Sequence, residues 1–529
     1  MQKKDFHFVA NCAAGLEQMT GDEIRSYGGI IEEISAGLVR WKGTLETAYR
    51  ACLWSRYSSK VLLVIKSFSM NNADDLYEES LSFNWLDHFT REMSFSVSST
   101  LANNPAVTHS HYASLRVKDG IVDHFREKGQ ERPSVKKDRA DFRVHIHVDG
   151  AVGTLYVDLS GDSLHRRGYR EATGIAPLKE TLAAALVTLS GWSSSVSVDT
   201  AFVDPMCGSG TILIEAALIW GDSAPGLSRN YFGFNKWLGH DAKVWSSLVD
   251  EAVSREEEAF EKKWPVFIGY DCDPEVVAAA RKNIEKAGLE SKITVKAKEI
   301  THLKPPSQKG YLISNLPYGE RLSEKEEIGY LYGGVGKVLQ RHFQGWTAGL
   351  LIGETDFADK LGIDTGKSYR LNNGSLVCRF FVGKVKIFEQ SGFDVSTDLS
   401  EVITEGADFY NRLLKNIRKI NSWAEKNKVS CFRIYDRDLP DYNVAIDVYE
   451  RWVLVQEYAP PSQVDSEVAR KRFSLVLNIV RQTLNLKRDR VFIKQRKRQK
   501  GKEQYEKKHV KQKFHEVFEG DCCFLVNIW

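Results

Sequence analysis

The chain has 529 residues and a formal net charge of +3 at pH 7, with 42% hydrophobic and 27% charged residues. This length predicts about three or four domains, and the composition is ordinary for a globular protein. No apolar run approaches the roughly 18 residues of a membrane span, so no membrane segment is expected. Because the net charge is small, any contact with nucleic acid has to come from local basic patches.

The N-terminus and the cysteines predict a cytoplasmic protein. Asp5, His7 and Asn11 interrupt the first apolar run, which argues against a secretion signal. The eight cysteines include no Cys-x-x-Cys pair and no Cys/His cluster at zinc spacing. Reduced thiols and no metal site are therefore expected.

The first 160 residues predict two small α+β units. A helical pattern over 16–24 and a strand pattern over 37–41 lie in the first unit. The second unit, from about 61, contains a basic helical segment over 111–126 and ends in a hairpin around Asp149 and Gly150. Between them, six of the fourteen residues from Arg126 to Arg139 are basic. A solvated loop and a phosphate-contacting face both fit that run.

From about 196 to 388, short apolar strands alternate with helices. The predicted strands are 201–203, 266–270, 293–296, 311–314, 348–352 and 377–382. A packing helix with Pro177 in its first turn precedes them. This order predicts a Rossmann-like, doubly wound α/β sheet that is largely parallel. Ligands of such sheets bind at the carboxyl ends of the strands.

A glycine-containing turn, residues 204–211, follows the first of these strands. Glycine allows the backbone to approach a nucleotide-type cofactor closely, although a tight turn without a ligand gives the same pattern. The turn residues expected to hold a cofactor are Asp204, Pro205, Gly208, Gly210 and Thr211.

Acidic residues follow the next two strands. Asp271 lies where a carboxylate can accept hydrogen bonds from both ribose hydroxyls of an adenosine cofactor. Asp273 is expected to cap the following helix instead. Glu299, after the third strand, is a candidate contact for the adenine amine, and a plain surface acid is the alternative at that position.

The fourth strand ends in Asn315-Leu-Pro-Tyr318. Such a turn can present the Asn315 side-chain oxygen and a backbone carbonyl to one exocyclic base amine, while the Tyr318 ring stacks on a flipped base. Accepting both amine hydrogens directs the nitrogen lone pair towards a methyl donor, so positioning supplies much of the rate. Asn315, Pro317 and Tyr318 are therefore the predicted catalytic residues, and Asn315 is also expected to contact the cofactor. A plain strand-ending turn is the alternative for this piece alone.

Several segments resemble the bacterial 23S rRNA guanine-N2 methyltransferase family RlmL. They are Asn11–Glu17, Ala48–Arg56, Leu164–Arg170, Ala224–Leu227, Phe232–Trp237 and Asn315–Leu322. The resemblance implies S-adenosylmethionine as cofactor, guanine N2 as target, and 23S rRNA or a large-subunit assembly intermediate as partner. It also implies a ferredoxin-like domain over 1–60, an overlapping THUMP RNA-binding domain over 45–160, and a methyltransferase domain over 165–388.

The remaining chain predicts a linker over 389–408 and a small α+β domain over 409–529. Its elements are a basic amphipathic helix over 410–426, paired strands over 442–449 and 452–458, and a helix over about 464–484. Residues 487–513 carry thirteen Lys or Arg against three acids. Segments such as Tyr435–Asn443 resemble the beginning of RlmK, a guanine-N7 methyltransferase fused behind RlmL in many bacteria. No second glycine loop follows residue 388, which implies a partial RlmK-like domain without N7 activity. A separate chain that carries the N7 domain is then a further candidate partner.

Leu316 departs from the Asn-Pro-Pro-Tyr that is usual in this family. Base-amine dimethyltransferases acting on rRNA adenine also use Asn-Leu-Pro-Tyr, so adenine N6 stays open as a target, while the flanking segments favour guanine. A non-catalytic RNA-binding ribosome assembly factor is the alternative from a different class of function.

Overall fold

The chain forms two compact units, residues 1–388 and 389–529. The computed structural model describes residues 5–104, 107–170, 178–318, 324–353, 357–374, 376–386, 405–427, 429–450, 452–458, 465–486, 488–496, 514–519 and 522–527. The predicted turn at Pro177 and most of the predicted linker lie outside these residues. Within the described ranges, no helix is both long and apolar enough to cross a membrane.

One seven-stranded sheet carries the N-terminal part of the first unit. Its strands are β1 (Phe6–Cys12), β2 (Ile30–Ser35), β3 (Leu38–Gly43), β4 (Ser58–Ser69), β5 (Phe95–Ala102), β6 (Phe142–Asp149) and β7 (Val152–Asp158). Its helices are α1 (Glu17–Ser26), α2 (Leu45–Trp54), α3 (Asp74–Ser82) and α4 (Ser110–Glu127). The strand order is β2-β3-β1-β4-β7-β6-β5, and β5 and β6 are its parallel pair.

The two α+β units predicted for this region share that sheet. β4 is 12 residues long, and its first half pairs with β1 while its second half pairs with β7. The predicted hairpin is confirmed, because Asp149 pairs with Val152 and Gly150 adopts a φ of +54°. Alternate residues of β6 face the core, where Val144 and Ile146 are buried.

A second seven-stranded sheet follows in the first unit. Its strands are β8 (Ala201–Asp204), β9 (Val266–Asp271), β10 (Ile293–Ala297), β11 (Gly310–Asn315), β12 (Thr347–Gly353), β13 (Lys367–Asn373) and β14 (Leu376–Lys384). Its helices are α5 (Glu180–Leu189), α6 (Thr211–Trp220), α7 (Ala242–Phe260), α8 (Pro274–Lys286) and α9 (Glu324–His342). β13, which pairs antiparallel with β14 at the sheet edge, was not predicted from the sequence.

The strand order of this sheet is β10-β9-β8-β11-β12-β14-β13. The five strands β8 to β12 run parallel to one another, and β14 is antiparallel to β12. The predicted doubly wound, largely parallel sheet is therefore confirmed. The order reverses between β8 and β11, so the loops after these two strands run in opposite directions and leave a crevice between them.

The second unit is a small α+β domain with a core of its own. Its helices are α10 (Ala407–Asn427) and α11 (Ser466–Thr483), and its strands are β15 (Cys431–Asp436), β16 (Val444–Tyr449), β17 (Trp452–Tyr458), β18 (Val491–Arg496), β19 (His515–Glu519) and β20 (Cys522–Val526). The order β15-β16-β17-β18 forms a four-stranded sheet, and β19 pairs with β20. Phe409, Leu413 and Ile417 of α10 pack in this core with Val455 and Val480. The helices and paired strands predicted here are confirmed.

Candidate active site

Four neighbouring parallel strands end at one edge of the second sheet. β8 ends at Asp204, β9 at Asp271 and β11 at Asn315. Glu299 follows the end of β10 by two residues and is exposed. Since these strands pair in the order β10-β9-β8-β11, their carboxyl ends meet around the point where the strand order reverses. The structure thus brings the predicted site residues to a common edge.

The glycine loop, residues 205–210, joins β8 to α6. Gly208 and Gly210 adopt φ angles of +53° and +83°, a region that glycine occupies at little cost. A Cβ added at Gly208 would meet no atom within 4 Å, so the backbone there faces open space. The backbone N–H of Cys207 donates to the carbonyl of Tyr270 at 2.8 Å, which ties the loop to β9. Pro205 is buried at the start of the loop.

Asp204 lies beneath the glycine loop and is only 1% exposed. Its Oδ1 accepts a hydrogen bond from the Ser314 hydroxyl at 2.7 Å and another from the Met206 backbone N–H at 3.2 Å. Burial raises the pKa of this carboxyl to about 7. Because Ser314 directly precedes Asn315, Asp204 connects the glycine loop to the strand that carries the asparagine turn.

Asp271 faces the glycine loop from the end of β9. Its Oδ2 accepts a hydrogen bond from the Gly208 backbone N–H at 3.0 Å, so the acid and the loop flank the same space. Asp273 has the other expected role: its side chain accepts the backbone N–H of Glu275 at 2.8 Å and caps α8. That prediction is confirmed, and the two neighbouring acids are structurally distinct.

Thr211, the first residue of α6, contacts the segment 164–170. Its hydroxyl oxygen accepts a hydrogen bond from Arg170 Nη2 at 3.0 Å. One turn further along α6, the buried Glu215 accepts a hydrogen bond from the Tyr169 hydroxyl at 2.9 Å and lies 3.6 Å from Arg167 Nε. The sequence motif over 164–170 therefore grips the helix that follows the glycine loop. This role of the motif was not predicted from the sequence.

The asparagine turn, residues 315–318, is anchored at two backbone positions. The Leu316 N–H donates to the Leu351 carbonyl at 3.0 Å. The Pro317 carbonyl accepts a hydrogen bond from the hydroxyl of Tyr332 at 2.7 Å. Tyr332 lies on α9 and is fully buried. Since nothing in the pattern around residue 332 indicates a partner at 317, sequence reasoning missed this contact.

The Tyr318 hydroxyl donates a hydrogen bond to Asn315 Oδ1. Burial raises the pKa of this phenol well above its usual range, so the hydroxyl keeps its proton near neutral pH and remains a donor. In this structure, Tyr318 therefore occupies the oxygen that was predicted to accept a base amine. Two of the three predicted catalytic residues, Asn315 and Tyr318, are thus in direct contact.

The residues at this edge fit S-adenosylmethionine. The open space over Gly208 accommodates close approach of a ligand to the backbone, and Asp271 lies beside it with a half-buried carboxylate. A carboxylate at this strand end suits the two hydroxyls of a ribose. The exposed Glu299 lies two residues beyond the end of the adjoining strand β10, and its contact with the adenine amine stays a prediction. When bound, this cofactor supplies an electrophilic methyl group.

Solved structures and domain families identify the class of protein to which this fold belongs. A methyltransferase complexed with S-adenosylhomocysteine is 30% identical, with a TM-score of 0.65, over 73% of this chain and 99% of its own. A Listeria monocytogenes protein described as an N6-adenine-specific DNA methylase is 31% identical, with a TM-score of 0.63, over 72% of this chain and 97% of its own. The RMKL-like methyltransferase domain family matches residues 167–380, the THUMP domain family residues 70–158, and the RlmL ferredoxin-like domain family residues 7–62. Fold and site together define an S-adenosylmethionine-dependent methyltransferase that carries a THUMP domain.

Two curated relatives identify the family of this chain within the class of methyltransferases. A Desulfotalea psychrophila protein named ribosomal RNA large subunit methyltransferase K/L is 49% identical over 99% of this chain and 73% of its own length. A Syntrophotalea carbinolica protein of the same name is 42% identical over 98% of this chain and 73% of its own length. The chain belongs to the ribosomal RNA large subunit methyltransferase K/L family. The predicted family, fold class and cofactor are confirmed, whereas the domain boundaries and the roles of individual site residues stay predictions.

The raised pKa of Asp204 leads to a prediction about stability and pH. Between roughly pH 4 and 7, the folded chain retains a proton on Asp204 that the unfolded chain releases, so stability falls as pH rises through this window. Asp204→Asn replaces the protonated acid by a group of similar shape. It should remove a contribution of about 1.4 kcal/mol per pH unit from the slope of the unfolding free energy against pH. Urea unfolding of both proteins at pH 5, 6 and 7 measures this slope.

Glu23 provides a comparison for that experiment. Burial raises its pKa to about 7 as well, and it lies on α1, outside the glycine loop. Glu23→Gln should therefore remove a similar slope, and the double variant should lose both contributions. If the unfolding free energy of the parent and of Asp204→Asn had the same slope against pH, the raised pKa of Asp204 would be contradicted.

Proposed function

We propose that this chain transfers a methyl group from S-adenosylmethionine to the exocyclic N2 of a guanine in 23S rRNA. The observation that carries the proposal is the anchored turn 315–318, which lies beside the glycine loop where the strand order reverses. The names of the curated relatives support large-subunit rRNA as the substrate. The THUMP family match supports an RNA contact in the N-terminal part of the chain.

In this proposal, Asn315 Oδ1 and the Leu316 carbonyl accept the two hydrogens of the guanine amine. We assign the backbone acceptor to the Leu316 carbonyl, because the neighbouring Pro317 carbonyl already accepts the Tyr332 hydroxyl. Accepting both hydrogens aims the nitrogen lone pair at the methyl donor. The nitrogen–methyl bond forms as the sulfur–methyl bond breaks, and the amine then releases one proton to water.

Base entry requires Tyr318 to leave Asn315. The Tyr318 hydroxyl holds Asn315 Oδ1 in this structure, so the incoming amine replaces the hydroxyl as the hydrogen-bond donor. The displaced ring is then available to stack on the flipped base. Asp271 and Glu299 hold the ribose and adenine of the cofactor, while Pro205, Gly208, Gly210 and Thr211 shape the loop that Asp204 supports from below.

The decisive experiment is methylation of unmodified 23S rRNA with isotope-labelled S-adenosylmethionine, followed by analysis of the nucleosides. N2-methylguanosine is the expected product, and no N7-methylguanosine is expected from this chain by itself. Label found only in N6-methyladenosine would overturn the guanine assignment. That second target is favoured by Leu316 and by the similarity to a protein described as an N6-adenine-specific DNA methylase. DNA is therefore included as a parallel substrate.

The proposed setting is the cytoplasm, where the substrate is 23S rRNA or an assembly intermediate of the large subunit. A separate chain that carries an N7 methyltransferase domain is a further proposed partner. Co-purification of this chain with large-subunit precursors from cells tests the proposed substrate. Recovery of the chain only with mature ribosomes or membranes would contradict it.

The basic segment 126–139 is the proposed phosphate contact of the N-terminal part. Arg126 pairs with Asp123 and Arg139 lies near Asp162. The other cations are exposed and are Lys128, Arg132, Lys136 and Lys137. Changing these four to glutamine should weaken rRNA binding and reduce the slope of log affinity against log salt by about 3. Titrations of rRNA binding at salt concentrations from about 50 to about 300 mM measure this slope.

A matched set of exposed lysines lies on other surfaces of the same unit. The control positions are Lys243, Lys262, Lys263 and Lys282. Neutralising them removes the same charge from the chain and should leave the salt slope nearly unchanged. An equal loss of slope in both quadruple variants would show that the segment 126–139 has no special contact with RNA.

A further inference from the structure

The helix α10 of the second unit has one face in the core and one face in solvent. Phe409, Leu413 and Ile417 are buried against the sheet of that unit. The opposite face carries Lys415, Arg418, Lys419, Ser422, Trp423 and Lys426. At 100° per residue, these six positions fall within a single arc of about 140°. Each of them is exposed.

Trp423 is the unusual member of this face. It is 51% exposed, although a tryptophan side chain is normally among the most buried in a globular protein. The cations Lys415 and Lys419 precede it on the same face, and Lys426 follows it. Successive positions such as 415, 419 and 423 are about 6 Å apart along the helix axis. An exposed aromatic ring thus lies within a row of positive charges.

These charges are not neutralised within the described part of the chain. Arg412 and Asp408 also fall within this arc, but Arg412 pairs with Asp438 and Asp408 accepts a hydrogen bond from the Tyr442 hydroxyl. No acid pairs with Lys415, Arg418, Lys419 or Lys426 in the described ranges. The apolar side of α10 is already buried in the domain core, so the helix has no second apolar face to insert into a lipid bilayer. A row of cations around one flat ring instead matches a strand of phosphates that offers an unpaired base.

We propose that the exposed face of α10 binds single-stranded RNA, with Trp423 stacked on a base and the flanking cations on phosphates. This inference rests on the proposed function in one respect, namely that the nucleic acid is RNA. It does not require methyl transfer. It assigns the second unit a binding role in addition to the active site in the first unit. A paired base in a duplex would not reach the Trp423 ring, so the contact should select unpaired RNA.

The test measures binding of the full chain to a labelled single-stranded RNA and to a duplex of the same sequence. Trp423→Ala should weaken single-strand binding by about 5- to 100-fold, which is the usual effect of losing one stacked base. Trp423→Phe, which keeps an aromatic ring, should retain most of the affinity. Neither variant should change duplex binding. Circular dichroism of both variants checks that the fold is intact.

Charge is tested with a matched pair of double variants. Lys415→Gln with Lys419→Gln should reduce the salt slope for single-stranded RNA by about 1.4. Arg470→Gln with Lys471→Gln removes the same charge from exposed positions of α11 and should leave that slope unchanged. An equal reduction in both would overturn the proposal, since the effect would then belong to the total charge and not to this face.

Photo-crosslinking locates the contact independently of affinity, because the basic segment 126–139 can also bind RNA. A 4-thiouridine RNA should crosslink to peptides that contain residues 415–426. Crosslinks confined to the first unit, with unchanged affinity in Trp423→Ala, would overturn the proposal. The proposal would also be overturned if Trp423→Ala lost binding to phosphatidylglycerol vesicles while its affinity for RNA stayed unchanged. Loss of methyl transfer alone, with RNA binding intact, would affect only the proposed function.

Discussion

Replacing Asn315 with alanine is expected to lower methyl transfer by about 10²- to 10³-fold while leaving the fold intact. The variant removes the side-chain oxygen that Tyr318 occupies in this structure and that the base amine is proposed to use. Leu316 N–H and the Pro317 carbonyl keep their partners, so the turn itself should persist. Single-turnover rates with saturating S-adenosylmethionine measure the effect on transfer.

The control for this experiment is Asn235→Ala, because Asn235 is exposed and lies far along the chain from the turn. It should retain the parental rate. The Kd of S-adenosylmethionine, measured by calorimetry, should rise by no more than about tenfold in Asn315→Ala, because only the contact predicted for Asn315 is lost while the glycine loop and Asp271 are untouched. Full activity of Asn315→Ala would contradict the proposed mechanism.

Asp271→Ala is expected to raise the Kd of S-adenosylmethionine by about 100-fold or more. A carboxylate that accepts two ribose hydroxyls contributes roughly 1.5–3 kcal/mol per charged hydrogen bond. The variant also releases the Gly208 N–H, which Asp271 binds at 3.0 Å in this structure. Calorimetric titration with S-adenosylmethionine or S-adenosylhomocysteine measures the loss directly.

Asp273→Ala is the matched control, since it removes a carboxylate only two residues away. Asp273 caps α8 through the Glu275 N–H, so its loss should lower stability by about 1 kcal/mol and leave cofactor affinity almost unchanged. If both variants weakened the cofactor equally, the effect would come from disturbance of the strand end. The ribose assignment of Asp271 would then be wrong.

The arrangement of the site explains why these two changes should have separate effects. Asp271 faces the glycine loop from β9, whereas Asn315 lies at the end of β11 on the other side of β8. Asp204 connects the two through Met206 in the loop and Ser314 next to Asn315. Because Asp271 and Asn315 lie on opposite sides of β8 and both variants keep Asp204, we expect each single variant to affect mainly its own step, cofactor binding or base positioning.

Much of the fold and the core of the site could be predicted from the sequence, because their signals are local. Alternating apolar residues and helical spacing predicted the order of strands and helices in the second sheet. Asp204, Asp271 and Asn315 each end an apolar strand, and Gly208 lies in the loop after Asp204. Parallel strands bring their carboxyl ends to one edge. The residue types at these ends were then sufficient to predict a methyl-transfer site.

Contacts between distant segments were decided only by the tertiary structure. The Tyr332 hydroxyl on the Pro317 carbonyl, the Ser314 hydroxyl on Asp204 and the Arg170 guanidinium on Thr211 join residues 15, 110 and 41 positions apart. Likewise, β4 merges two predicted units into one sheet by pairing with both β1 and β7. Periodicity reports which face of an element is buried, but packing determines which partner meets that face. The chemistry of the strand ends was therefore readable in the sequence, while the bonds that hold those ends in position depended on the folded chain.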